Sequence, residues 1–182
     1  MKMVFSYYTK LSAAQKRLYR KSDEIHAVPL SDGKALHPLI SRLVSALDHE
    51  DRDQTEEICK ALAMGLTSRL HVPPLRLKVL AVRPTAGWGE LHGLYELAEG
   101  RASPVITLWM RTAKHRRVVA FRTFLRTFLH EFSHHLDYHY YNLPDSYRGV
   151  LQAGIEPFPS TSAGTIRVTW NSMKLKKRNC SE

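Results

Sequence analysis

An α+β fold is what this sequence predicts, and three observations predict it. Apolar residues recur every three or four positions through the first 70 residues, as they do on one face of a helix. Residues 75–82 and 105–110 switch to alternating and β-branched patterns that suit strands, and 117–141 returns to a long helical period. The expected architecture is a set of N-terminal helices, a small, mostly antiparallel sheet and one long amphipathic helix. At 182 residues, 43% of them hydrophobic, the chain can bury one core and is short for two. We therefore expect one domain over 1–146, followed by an atypical tail over 147–182.

Residues 9–25 read as a charged helix that turns Leu11, Ala14, Leu18 and Ile25 inward. After the Ser31-Asp32-Gly33 turn, the stripe Leu36, Leu39, Ile40, Leu43, Val44 and Leu47 marks a second helix over 36–47. A third helix over 54–70 is stopped by Pro73-Pro74. The strand at 75–82 opens by alternating apolar and basic residues and ends at Pro84. Gly87, Gly89 and Gly93 mark a turn-rich stretch around Trp88 and His92, with a short strand over 94–97. His92 reads as a solvated loop residue, with substrate contact as the alternative. Ser103-Pro104 introduces the strand Val105-Ile106-Thr107-Leu108-Trp109-Met110, read as a sheet edge that an extended peptide could join. Basic residues 114–117 then open the long helix. Beyond Tyr147, residues 151–164 show no period, 165–170 fit a short strand, and 174–178 form a basic tail of the poorly ordered kind.

The net charge of +10 admits a nucleic-acid partner through counterion release, yet no recognition motif supports one. Two cysteines, Cys59 and Cys180, make no disulfide framework and fit a reducing compartment. The first 16 residues lack the apolar core of a signal peptide, and no stretch is long and apolar enough for a membrane span. A soluble, cytoplasmic protein is the expectation.

The chemistry-bearing stretch is His130-Glu131-Phe132-Ser133-His134, an HExxH pattern inside the long helix. At about 100° per residue, His130 and His134 fall one turn apart on one face, where two imidazoles can reach one zinc ion. Glu131 beside them can act as general base toward water at the metal. Val118, Phe121, Leu125, Phe128, Leu129, Phe132 and Leu136 gather on the other side as the core-facing stripe. The alternative is an idle histidine pair on a solvated helix face.

The longer string from Phe121 to Tyr138, FRTFLRTFLHEFSHHLDY, resembles the bacterial SprT-like zinc metallopeptidases. The likeness covers most of 75–146 and, more loosely, the N-terminal helices. It implies a zincin-like α+β domain, zinc as cofactor, Glu131 as base, and hydrolysis of peptide bonds in a peptide or protein substrate. Such families take a third histidine ligand from a later stretch resembling His-Thr-x-Gly-Phe, where this chain has Ser146-Tyr147-Arg148-Gly149-Val150; no histidine follows His139. Asp137 lies about 10 Å along the helix axis from His130, too far to share its ion, and is expected as a carboxylate supporting the ligands or capping the helix. His135 is poorly placed for ligation, and His139 is expected to pack or to be buried. Two ligands hold zinc more weakly than three, so weak zinc binding and low or absent proteolysis are expected.

Residues 146–162 can be encoded so that a one-base shift reads His-Thr-Glu-Gly-Phe-Tyr-Lys-Arg-Glu-Ser-Ser-Leu-Phe-His-Gln-Gln. The missing histidine and an amphipathic helix both appear in that frame. The expectation is that 147–182 is a frameshifted remnant, with a divergent natural tail as the alternative. Six cations against two carboxylates give this tail +4 of the +10, which weakens the case for nucleic acid. The rival to the enzyme is a non-catalytic basic binding protein that carries a relic HExxH.

Overall fold

A computed structural model describes residues 12–25, 27–86, 89–97 and 102–143, together with the backbone of 151–155 and 168–172. Three helices come first: α1 (Ala13–Asp23), α2 (His37–Asp48), entered through the 3₁₀ turn Gly33–Leu36, and α3 (Arg52–Leu70). Their ends follow local chemistry. Asp51 caps α3 by accepting from the Gln54 backbone N–H at 2.9 Å, and His71 stops it in a left-handed conformation with φ of 53°. The α2 stripe is as expected, with Leu36, Leu43 and Leu47 buried and Leu39, Ile40 and Val44 half-buried. On α1 the inward reading of Ala14 is corrected, because Ala14 is exposed, while Ile25 is half-buried. Leu11 lies outside the described residues, as does the side chain of Leu18.

The sheet contains β1 (Arg76–Val82), β4 (Gly93–Glu96) and β5 (Val105–Arg111) in the order β1-β5-β4. The small pair β2 (Thr85–Ala86) and β3 (Gly89–Glu90) forms a separate hairpin between β1 and β4. Since β1 pairs with β5 in parallel and β4 with β5 antiparallel, the sheet is mixed and the mostly antiparallel expectation is corrected. The chain reverses twice among these strands: the segment after β1 crosses over and lays β4 antiparallel on the far side of β5, and the chain then turns back into β5.

The edge assignment is corrected as well. β5 is the central strand, and Val105 to Met110 are all buried. An unbroken buried run, apolar except for Thr107, is what a strand covered on both faces requires. At the β1 edge, Val79 is already engaged by α3: its N–H donates to Glu56 at 2.8 Å and its carbonyl accepts from Arg52 at 3.1 Å. β4 is the strand left at the other edge.

The long helix α4 (Phe121–His139) starts four residues later than expected. Residues 113–115 turn, Arg116 takes a positive φ of 49°, and Val118 bridges back to Arg111. Val118 thus extends β5 and is no part of the helical stripe. The helix buries Phe124, Leu125, Phe128, Phe132 and Leu136 against α2, β4 and β5, with Phe121 and Leu129 half-buried. Phe124 belongs to the core although the sequence stripe omitted it.

After α4, β6 (Leu151–Ile155) and β7 (Val168–Ser172) pair antiparallel as a separate two-stranded unit, with β6 beside α4. The unpatterned 151–164 stretch therefore holds a strand, and the strand expected at 165–170 lies at Val168–Ser172. Neither joins the main sheet. The basic stretch 174–178 lies outside the described residues. No described helix is long and apolar enough to cross a membrane.

Candidate metal centre

The four-residue spacing on α4 sets the His130 and His134 ring centres 4.9 Å apart with their planes at 84°. Both rings are half-buried and line a cleft of about 860 Å³ shared with Glu131, Tyr138 and the β4 edge. Arg76 and Lys78 of β1 line it as well.

Glu131 is 7% exposed and lies under β4. A Cβ placed on Gly93 would come within 2.6 Å of Glu131 Oε1 and 2.7 Å of Thr127 Cγ2, so the β4 backbone rests directly on the carboxylate. Burial pushes the Glu131 carboxyl up to about 7, and the Tyr95 backbone N–H works against that by hydrogen bonding to it. A group so placed can both take and return a proton near neutral pH.

Tyr95 ties β4 to α4 at three points besides that amide. Its ring stacks on His134 at 6.3 Å with an interplanar angle of 22° and meets the His135 ring edge-on at 5.8 Å. Its hydroxyl stands 3.0 Å from His135 Nδ1, and His135 Nε2 stands 2.8 Å from the Pro73 carbonyl. A carbonyl can only accept, so Nε2 carries the proton, Nδ1 is the acceptor, and Tyr95 O–H is the donor. His135 is 0% exposed, and burial drives its pKa down to about 4, which keeps it neutral in this tautomer. His135 is thus a brace between α4, β4 and the α3–β1 connection, in agreement with its unsuitability as a ligand.

The other expected residues fall as follows. His139 is exposed, which corrects the buried reading, although its ring centre lies 4.5 Å from that of His135. Asp137 Oδ1 is buried without a hydrogen-bond partner, and burial raises the carboxyl to about 7. The Asp137 contact that closes the helix is made by its backbone carbonyl, which accepts from Leu143 N–H at 2.7 Å, and not by its side chain. His92 is exposed and does not line the cleft, as a solvated loop histidine would be. Cys59 is a buried free thiol, pushed up to about 12 chiefly by burial, and Cys180 lies outside the described residues.

Two imidazoles one turn apart fit two positions of a tetrahedral zinc shell. Among the described residues no group of three His, Cys, Asp or Glu side chains is placed to hold an ion. Residues 144–150, where the SprT-like resemblance implies a third ligand, lie outside the described residues. His130 and His134 would hold the metal, with Glu131 beside it.

Sequence reasoning missed Gly93, Tyr95 and Tyr138. Each left a signal. Gly93 and Tyr95 share one face of β4 by the two-residue period, and Tyr138 follows His134 by one helical turn. Which strand would cover the histidine face was not readable from either period. Compared with known proteins, the chain matches no family model, no curated protein and no solved structure.

Proposed function

We propose that this chain is a zinc-dependent peptidase-type hydrolase, with His130 and His134 as metal ligands and Glu131 as general base. The observation that carries the reading is the buried Glu131, raised to about 7, one residue from an imidazole pair whose ring centres are 4.9 Å apart in an open cleft. Its resemblance to the SprT-like string on α4 supports the same chemistry. When bound, zinc supplies Lewis acidity toward the scissile carbonyl and toward water. Glu131 takes a proton from the attacking water and gives it to the leaving amine nitrogen as the C–N bond breaks. Gly93 and the Tyr95 amide hold that carboxylate against β4, whose free edge suits an extended peptide or protein substrate. The buried free thiol of Cys59 suits a cytoplasmic setting.

Zinc content per purified chain tests the reading, set beside a His130→Ala His134→Ala double variant. Zinc bound weakly by the parent chain and lost in the variant is the expected result, with Glu131→Gln retaining metal and losing any peptide hydrolysis. Absence of zinc from both proteins would sink the proposal.

One observation favours a second reading. Lys114, Arg116, Arg117, Arg122 and Arg126 are exposed, and none forms an ion pair among the described residues. A basic binding protein, with nucleic acid as the partner class, would use that surface and keep its partner affinity in Glu131→Gln.

A further inference from the structure

Two cations of the cleft have no task in the hydrolysis itself. Arg76 and Lys78 of β1 line the same cleft as His130, Glu131 and His134, are exposed, and form no ion pair among the described residues. The strand register fixes where they stand. Arg76 pairs with Val105, and Val105 with Glu96, while Lys78 pairs with Thr107, and Thr107 with Leu94. Paired residues share a face of a sheet and neighbours along a strand alternate between faces, so both rows turn away from the side on which Gly93 and Tyr95 meet α4.

One cleft thus reaches two faces of the sheet, and it does so around the β4 edge. The histidine pair and Glu131 lie on the helix face; Arg76, Lys78, Leu94 and Glu96 lie on the outer face, with Val105 as its floor at 9% exposure. An extended chain laid along the β4 edge turns alternate side chains to the two faces. When one residue sits over Glu131, opposite Gly93, the next one points to the outer face opposite Leu94. β1 lies two strand spacings, about 10 Å, from β4, and an extended arginine or lysine side chain crossing the row covers most of that distance. On this face two cations stand against one carboxylate, so its surplus charge is positive.

We propose that Arg76 and Lys78 are specificity-determining residues, which select a substrate carrying one acidic side chain beside the residue held over Glu131. The proposal rests on the peptidase reading and deepens it by naming the substrate class. The acidic side chain seats in the row of Lys78 and Leu94, where no carboxylate stands. Both cations attract it without breaking any ion pair of the described residues, and charges closer than the Debye length of about 10 Å at 0.1 M salt attract even without touching. Leu94 gives the methylenes of that side chain an apolar surface, being 36% exposed. In the row of Arg76, Glu96 stands nearer the substrate and repels a second acid, so a single acidic position is favoured over a run of them.

The test uses the full chain with zinc supplied, in a Glu131→Gln background so that peptide binds without turnover, and reads affinity by calorimetry at low salt. The probes are heptapeptides of one fixed, non-repeating neutral sequence, blocked at both ends, with a single glutamate moved one position at a time and a glutamine counterpart for each. At one position glutamate is expected to bind about fivefold tighter than glutamine, with no gain at the positions on either side. Arg76→Gln Lys78→Gln should abolish that preference, and Arg76→Glu Lys78→Glu should turn it into a preference for lysine at the same position. Thermal midpoint and zinc content should stay at the parent values, since neither side chain forms an ion pair in the fold. Lys114→Gln Arg117→Gln, which removes the same charge from an exposed surface elsewhere, should leave the preference intact. A gain equal at all positions, or weakened as much by the Lys114 and Arg117 changes, reports only the net charge of +10 and overturns the proposal. Equal affinity for every peptide, or binding of none, overturns it too. A chain that binds no zinc yet keeps the position-specific preference overturns the peptidase reading alone.

Discussion

Gly93 on β4 rests against Glu131 on α4, so closely that a methyl group at position 93 would sit 2.6 Å from the carboxylate oxygen. The contact is backbone on side chain, and it fixes where the base of the candidate site stands. Gly93→Ala should therefore displace Glu131 or lift β4 from α4, at a cost of about 1–3 kcal/mol in overpacking. Urea denaturation measures it; a variant as stable as the parent would show that the carboxylate moves aside freely.

Tyr95→Phe removes the one donor to His135 Nδ1 and leaves a buried acceptor unpaired. We expect a loss of about 1–3 kcal/mol in unfolding free energy, with the ring stack on His134 retained. An unchanged denaturation midpoint would mean that water replaces the hydroxyl.

The Asp137 carboxyl is raised from 3.8 to about 7 by burial, so between those values the folded chain holds a proton that the unfolded chain releases. Its contribution to stability is present below about pH 4 and is lost as pH rises toward 7. Asp137→Asn should accordingly match the parent near pH 4 and exceed it near pH 8. His135 acts in the opposite sense: depressed from 6.5 to about 4, it destabilises the fold as pH falls through that window. Comparing Asp137→Asn with the parent across pH isolates the carboxylate, and parallel stability curves would remove Asp137 as a titrating group.

The coding DNA across 145–162 is expected to carry codons whose one-base shift reads His-Thr-Glu-Gly-Phe. Sequencing that stretch decides it, and any codon set lacking this alternate reading sinks the frameshift.

Local signals carried much of the architecture. The α2 stripe, the Pro73-Pro74 stop after α3, the alternation of Leu77 and Val79 with basic neighbours, and the HExxH spacing are short-range patterns, each legible within one element. His130 and His134 were placed on one face by the helix repeat alone, and their rings do stand near one another. The late start of α4 escaped notice because Lys114 to Arg117 suit a helix by propensity, while the bridge from Val118 to Arg111 holds them in a turn.

The sequence by itself determined the helices α2 and α3, the strands β1 and β5 and the body of α4, and which side chains could ligate a metal or move a proton, because those properties repeat within a few residues. Only the tertiary structure decided that β5 is central and β4 the edge, that Gly93 and Tyr95 lie over Glu131 and His134, and that His135 reaches Pro73. Strand order and cross-element contacts join residues far apart in the chain, as in the pairing of His135 with Tyr95 and Pro73 at separations of 40 and 62. They follow from which arrangement buries the shared apolar faces together, and no local period encodes that choice.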